Sequence, residues 1–90
     1  MKVCKFGGSS VADATQINKV CDIMMADRER RVVVVSAPGK RNKADIKVTD
    51  MLISCAERAL EDLDVTKEID AIVERFASIQ RDLDLDSAII

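Results

Sequence analysis

The chain of 90 residues has no histidine, no tryptophan and no tyrosine, and its only aromatic side chains are two phenylalanines. It therefore lacks the aromatic platforms on which single-stranded nucleic acids stack. Its three cysteines show no Cys-x-x-Cys spacing and have no histidine to join them, so the usual zinc sites are excluded. The composition argues against nucleic acid as a partner, and we expect no metal ligands in this chain.

Long apolar runs are also missing. No stretch approaches the ~18 apolar residues of a membrane-spanning helix, and no secretory signal pattern is present. These absences predict a soluble, cytoplasmic protein with reduced cysteines and no membrane partner. We expect Cys4, Cys21 and Cys55 to be small buried hydrophobic side chains.

Glycine is scarce, with three residues in the chain, yet two of them stand side by side in KFGGSS at residues 5–10. A glycine pair is expected where the backbone needs a positive φ angle or a very close approach to other atoms. A tight turn between a strand and a helix would need the positive φ angle. A phosphate group bound by backbone N–H groups would need the close approach. Both alternatives stay open at this stage.

The pattern of apolar residues organises the chain into two strands and three helices. The segment MKVCKF predicts a strand, and apolar residues then recur at helical spacing between residues 17 and 24, behind an N-cap at Ser10 or Asp13. The run VVVVSA predicts a strand buried on both faces of a parallel sheet. Amphipathic helices are predicted at about residues 49–62 and 65–83. The fold class is therefore α/β, a parallel β-α-β unit followed by two helices.

Charge is uneven along the chain, although the net charge is only −2. Residues 1–47 carry ten basic and five acidic side chains, whereas residues 48–90 carry four basic and eleven acidic ones. The first half is thus the part suited to a small anion. Four of its cations lie in one loop with the only proline. We interpret this loop as mobile and these cations as solvated, namely Lys40, Arg41, Lys43 and Lys47.

Two unusual loops, KFGGSS and SAPGKRNKADIKVTD, follow the carboxyl ends of the two predicted strands. Ligands of parallel α/β units gather at these ends. Neither loop contains a Walker motif or a Gly-x-Gly-x-x-Gly pattern. Lys5, the N–H groups of Gly7 and Gly8, and a helix N-terminus would still together hold a polyphosphate. Taken alone, however, a Lys-x-Gly-Gly sequence is more typical of a tight turn with a solvated lysine.

Three segments in order, KFGGSSVAD, VVVVSAPGK and VTDMLI, make the chain resemble the N-terminal portion of aspartate kinases. The glycine loop alone is shared by the wider amino-acid kinase family. Phe6, the VSAPGK strand end and the following Thr-Asp pair narrow the resemblance to aspartate kinases. The resemblance covers residues 1–90 as the opening, incomplete part of one catalytic domain. It implies a three-layer α/β sandwich.

The resemblance also implies a reaction, the transfer of the γ-phosphoryl group of ATP to the side-chain carboxylate of L-aspartate. This is the first step towards lysine, threonine and methionine. Lys5 is implied to neutralise charge on the transferring group. The ATP phosphates are implied to lie on the loop that follows it, made of Phe6, Gly7, Gly8 and Ser9.

The resemblance assigns aspartate binding to Thr49, and Ser36 lies at the strand end that faces the same cleft. The plainer interpretations are a helix N-cap for Thr49 and backbone capping for Ser36. Mg²⁺ is expected from the family, with no ligand identifiable in this chain. A homo-oligomer or another form of self-association is expected as well.

Other functions remain open. Residues 1–90 do not contain the glutamate, arginine, serine and aspartate that the family supplies later in its catalytic cleft. A non-catalytic interaction or self-associating module is therefore one alternative, and the isolated chain is expected to be inactive. A kinase acting on glutamate, carbamate or a nucleotide is another, because Lys5 would serve equally there. Thr49 is the residue that argues for aspartate.

Overall fold

The computed structural model describes residues 1–86, which form two strands, one short 3-10 helix and three α-helices. The strands are β1 (Lys2–Phe6) and β2 (Arg30–Val35), and the 3-10 helix covers Gly8–Val11. The α-helices are α1 (Ala14–Met25), α2 (Val48–Leu60) and α3 (Thr66–Asp82). The predicted order of strands and helices is confirmed, and the 3-10 helix is an addition.

Strands β1 and β2 pair in parallel, and α1 connects them, so the predicted β-α-β unit is present. Lys5 lies opposite Val34 and Phe6 lies opposite Val35. The pairing continues past the strand end, because the N–H of Ser36 donates to the carbonyl oxygen of Phe6 at 3.1 Å. Both strands therefore end at the same edge of the sheet.

The first helix starts at the second of its two predicted caps. The Asp13 carboxylate accepts a hydrogen bond of 3.0 Å from the N–H of Gln16, which satisfies one of the free donors at the start of α1. Ser10 instead lies inside the 3-10 helix, where its N–H donates to the carbonyl oxygen of Gly7 at 3.1 Å. The 3-10 helix thus connects Gly7 to the start of α1 and includes Gly8.

The valine run of β2 is exposed within residues 1–86, although its sequence is typical of a strand covered on both faces of a sheet. Val32 is 39% exposed and Val35 is 55% exposed. The strand has one neighbour, β1, and the described residues offer no second strand for its other edge. A continuous run of β-branched residues predicts a strand with another strand at each edge and a covering layer on each face. Residues 1–86 supply only part of these neighbours.

The buried apolar side chains lie instead near the carboxyl edge of the sheet and on the helices, as Val11, Ala12, Ala14, Val20, Val48 and Ile79. An open apolar cleft of about 600 Å³ lies between α1, β2 and α3. The expectation of buried cysteines is wrong, because Cys4 and Cys55 are half-buried and Cys21 is exposed on the open side of α1. None of the helices in residues 1–86 has the length and apolar character needed to cross a membrane.

Candidate phosphate-binding and substrate site

The loops that follow β1 and β2 touch through their backbones. The N–H of Gly39 donates to the carbonyl oxygen of Gly8 at 2.7 Å. Further along the second loop, the carbonyl oxygen of Pro38 accepts a hydrogen bond of 3.0 Å from the N–H of Val48, the first residue of α2. The three segments that carry the family motifs are therefore joined at one edge of the sheet.

Within the glycine pair, Gly8 is required by a close approach, and neither glycine has a positive φ angle. No glycine has a positive φ, and that of Gly7 is −73°. A Cβ atom added to Gly8 would lie 3.0 Å from the carbonyl oxygen of Ala37. One added to Gly39 would lie 2.6 Å from the carbonyl carbon of Gly8. The two loops can approach this closely because Gly8 and Gly39 have no side chains.

Gly7 has a different environment from Gly8. A Cβ atom added to Gly7 would meet no atom within 4 Å, and the residue is exposed immediately before the 3-10 helix. Ser9, in the first turn of that helix, is exposed as well. The opening N–H groups of a helix have no partners within the helix itself. This combination leaves an open backbone surface beside the exposed Lys5 and the half-buried Phe6.

Thr49 lies in the first turn of α2 and is exposed, but it is not the N-cap of that helix. The N-cap is Lys47, which makes no side-chain capping bond. The plain N-cap interpretation of Thr49 is therefore wrong, and the hydroxyl is not used to cap α2. Ser36 is also exposed, and its backbone N–H extends the pairing with Phe6.

The basic loop between β2 and α2 is exposed at all four of its cations, as predicted, but Arg41 has a partner within the loop. The Arg41 guanidinium donates to both carboxylate oxygens of Asp45, at 2.6 and 2.9 Å. The backbone N–H of Arg41 donates a third hydrogen bond of 2.9 Å to the same carboxylate. These hydrogen bonds from Arg41 hold the pKa of Asp45 well below its usual range. The loop is thus closed on itself by a bidentate ion pair.

Sequence reasoning missed Arg75, a buried arginine in α3 with 3% of its surface exposed. Its guanidinium donates to the carbonyl oxygens of Ala12, Gly39 and Ile46. Burial lowers the pKa of Arg75 by disfavouring its charge, and nearby Arg41 adds to this effect. The available signal was one charged residue among the apolar positions that α3 repeats at helical spacing.

Within residues 1–86, no group of three or more cysteine, aspartate or glutamate side chains is placed to hold a metal ion. The Mg²⁺ expected from the family therefore has no fitting set of ligands in this part of the chain. A nucleotide polyphosphate fits better, because Lys5 supplies a cation beside the open backbone surface at Gly7 and Ser9.

A parallel β-α-β unit whose loops present a lysine and a glycine pair at one sheet edge agrees with the family comparison. Residues 1–84 match the model of the amino acid kinase family, and the chain belongs to that family. Within the family, the similarity is to aspartate kinases. The chain is 50% identical over all 90 residues to aspartokinase 3 of Bacillus subtilis (strain 168), of which it covers 20%. Over 80 residues, 88% of the chain, it is 38% identical to lysine-sensitive aspartokinase 3 of Escherichia coli (strain K12), of which it covers 16%.

Solved structures agree with this similarity. The aspartate kinase of Clostridium acetobutylicum superposes with a TM-score of 0.89 and 38% identity, over 93% of this chain and 19% of that one. The E. coli aspartokinase III structure in complex with aspartate and ADP gives a TM-score of 0.68 and 33% identity, over 88% of this chain and 16% of that one. The α/β fold class and the resemblance to aspartate kinases are confirmed. The chain spans about a fifth or less of the length of these relatives.

Proposed function

We propose that residues 1–90 are the N-terminal portion of the catalytic domain of an aspartate kinase, which transfers the γ-phosphoryl group of ATP to the side-chain carboxylate of L-aspartate. The observation that carries this proposal is the meeting of the three motif segments at one sheet edge. Backbone hydrogen bonds of 3.1, 2.7 and 3.0 Å join them in turn. The similarity to a kinase structure that holds aspartate and ADP supports the choice of these two substrates.

In this proposal, Lys5 and the loop behind it bind the ATP phosphates. Phosphoryl transfer demands little covalent chemistry from a protein and depends on positioning and on stabilising the charge of the transferring group. The exposed ammonium of Lys5 lies at the end of β1, and the backbone of Gly7, Gly8 and Ser9 begins the next helical turn. The cation would neutralise the equatorial oxygens, while N–H groups of Phe6 to Ser9 would hold the phosphate chain.

Thr49 and Ser36 would bind aspartate from the other side of the cleft. Thr49 lies in the first turn of α2, where the positive end of the helix dipole favours a carboxylate. Thr49 is exposed, and the N-cap position of α2 is occupied by Lys47. Ser36 is exposed at the end of β2, one residue beyond the strand.

The rest of the proposal follows from the same assignment. Mg²⁺, when bound, would neutralise phosphate charge, and its ligands would come from outside residues 1–86. We place the enzyme in the cytoplasm, at the entry to lysine, threonine and methionine biosynthesis, and expect a homo-oligomer. The similarity to a lysine-sensitive aspartokinase supports the pathway assignment.

The Lys5→Ala variant of the longest product of the gene tests the phosphate assignment. We expect kcat to fall by ~10²-fold or more, because the lost ammonium stabilises charge that develops in the transition state. A coupled assay of aspartate-dependent ADP release measures this loss. Lys40→Ala, at an exposed loop cation, is the matched control and should retain turnover. Near-normal turnover of Lys5→Ala would refute the role.

The Thr49→Val variant tests the aspartate assignment. Removing the hydroxyl should weaken the use of aspartate by ~1–3 kcal/mol in kcat/KM, since a carboxylate would lose a hydrogen bond. The KM for ATP should remain nearly unchanged, because Thr49 lies on α2 and not on the phosphate loop. An equal effect on both substrates would indicate a structural role for Thr49.

A non-catalytic, self-associating module is the second candidate, and the exposed valines of β2 favour it. The two candidates differ in what the reading frame encodes beyond residue 90. A Gly-Glu segment and a later cluster of arginine, serine and aspartate would support the kinase. A stop codon at that point, together with no ADP release from the purified chain, would support the module.

A further inference from the structure

Arg75 joins three segments that are far apart in the sequence. One Nη atom donates to the carbonyl oxygen of Ile46 at 2.9 Å. The other donates to the carbonyl oxygen of Ala12 at 3.3 Å and to that of Gly39. Ala12 follows the 3-10 helix that starts after Gly7, Gly39 lies in the loop after β2, and Ile46 precedes α2. A single side chain therefore contacts each of the three segments that carry proposed ligand-binding residues.

An arginine is suited to this position in a way that other cations are not. Its planar guanidinium directs five N–H groups in fixed directions, whereas a lysine ammonium is a single point from which carbonyls on three sides are not reached together. Arg75 forms an ion pair with Asp45, whose carboxylate lies 3.6 Å away, and the charge of Asp13 also favours the charged guanidinium. The Asp45 carboxylate is already bound by Arg41. The backbone carbonyls are thus the main partners of the Arg75 guanidinium.

The position of these carbonyls sets the geometry of the candidate site. Ile46 is three residues before Thr49, and Gly39 is bonded to Gly8. A shift of the Gly39 carbonyl would therefore move the loop that Gly8 touches. A shift of the Ile46 carbonyl would move the start of α2 and, with it, the Thr49 hydroxyl.

We propose that Arg75 is a positioning residue of the kinase site, whose guanidinium fixes the separation between the phosphate loop at residues 6–9 and the aspartate-binding start of α2. The inference rests on the proposed function and deepens it, because Arg75 itself touches neither substrate. A misplacement of about 1 Å in reacting groups lowers a rate by up to about 10²-fold. The role of Arg75 should therefore appear in kcat as well as in stability.

The test compares Arg75→Lys with Arg81→Lys in the longest product of the gene. Both are conservative changes in α3, but Arg81 is 61% exposed and pairs with Glu74, away from the loops. Per folded molecule, we expect Arg75→Lys to lower kcat with aspartate by about 10–100-fold and Arg81→Lys to leave it unchanged. Equal kcat values for the two variants, measured per folded molecule, would overturn the proposal.

A second measurement uses the unchanged enzyme, so that it does not depend on how well a variant folds. Hydrogen–deuterium exchange is followed with and without ADP. If Arg75 couples the segments, ADP should slow exchange at residues 44–48 together with residues 8–12, although the phosphates would touch only the loop at residues 6–9. Protection confined to residues 6–12 would overturn the inference and leave the proposed function standing. Absence of ADP binding would instead contradict the proposed function itself.

Discussion

The carboxyl edge of the small sheet and the strand β2 differ in how far residues 1–86 bury their side chains. At the carboxyl edge, Arg75 is 3% exposed and its donors reach three carbonyl oxygens. Along the strand itself, Val35 is 55% exposed and Val33 is 46% exposed. An arginine is thus buried while the valines face solvent, which is the reverse of the usual distribution.

The difference shows that a short stretch of chain can form the hydrogen bonds of a loop cluster, whereas a longer stretch is needed to bury the apolar side chains of a sheet. Hydrogen bonds are local and directional, so three loops and one helix suffice to bond both Nη atoms of Arg75 at the carboxyl edge, although its buried Nε has no partner among residues 1–86. Apolar burial needs covering layers, and two strands with three helices supply too few of them for β2. The loop geometry is therefore settled within residues 1–86, whereas the burial of the sheet is not.

The largest expected effect comes from closing the space between the two glycines. Gly39→Ala should destabilise the longest product of the gene by about 2–3 kcal/mol, because the new Cβ would lie 2.6 Å from the backbone of Gly8. Backbone atoms cannot move aside as a flexible side chain can. Thermal unfolding monitored by circular dichroism would measure the loss.

Gly7→Ala is the matched control for this prediction. Nothing lies within 4 Å of the added Cβ and φ is −73°, so alanine fits without strain. Its stability should stay the same or rise by up to about 1 kcal/mol, since alanine restricts the unfolded chain. If Gly39→Ala were as stable as Gly7→Ala, the close contact between the loops would not be what requires glycine.

The exposed strand provides a prediction of intermediate size. The isolated 90-residue chain should self-associate or pack loosely and bind a dye that reports apolar surface, because the 600 Å³ cleft is lined by side chains such as Val33, Val35 and Phe76. It should not turn over ATP and aspartate. Sedimentation, dye fluorescence and a coupled ADP-release assay on one preparation measure these properties.

The double variant Val33→Thr, Val35→Thr should reduce both association and dye binding while keeping β-branched residues in the strand. Leu60→Thr is the control, because Leu60 is 86% exposed but does not line the cleft. A compact monomer without dye binding would contradict the structural half of the prediction. Aspartate-dependent ADP release that Lys5→Ala abolishes would contradict the functional half.

The smallest expected effect concerns the ion pair that closes the basic loop. The pKa of Asp45 is lowered in the folded state, chiefly by the Arg41 hydrogen bonds. The stability it contributes is therefore present above the unfolded carboxyl pKa of about 4 and is lost as the pH falls towards the folded value. The difference in Tm between the unchanged protein and Asp45→Asn should shrink between pH 6 and pH 2. A difference that stays constant over this range would contradict the assignment.

The sequence predicts the fold well where the signal is local. Short apolar and β-branched runs identify both strands, helical spacing of apolar residues identifies all three helices, and Asp13 is recognisable as a cap from its residue type. Lys47 carries no such signal, because its side chain does not cap α2, and Thr49 was the more attractive N-cap from its type alone. The start of α2 is held by a backbone hydrogen bond from Val48 to Pro38 in the preceding loop. Such a helix boundary has no local sequence pattern.

Residue type and order in the sequence nominate the residues of the candidate site, but they do not predict how the three segments come together. The KFGGSS loop and the Thr-Asp pair are recognisable from their residue types and from their order along the chain. The pairing of Gly8 with Gly39 depends on the distance between two loops, which composition does not encode. Arg75 was hidden because an arginine in an apolar helical stripe predicts only that the side chain has a partner, not which carbonyls it meets.

The Arg75 contacts also determine when the site can form during folding. The residues of this chain that are proposed to touch ATP or aspartate lie within its first 49 residues, but the bond from Arg75 to Ala12 spans 63 positions. Closing so long a segment costs chain entropy before any contact rewards it. On a ribosome, the first 49 residues would emerge with their ligand-binding side chains present but without the link that Arg75 makes between the three segments. The part of the proposed site that lies in this chain is thus encoded in its first 49 residues, and the link through Arg75 forms only after α3 has been synthesised.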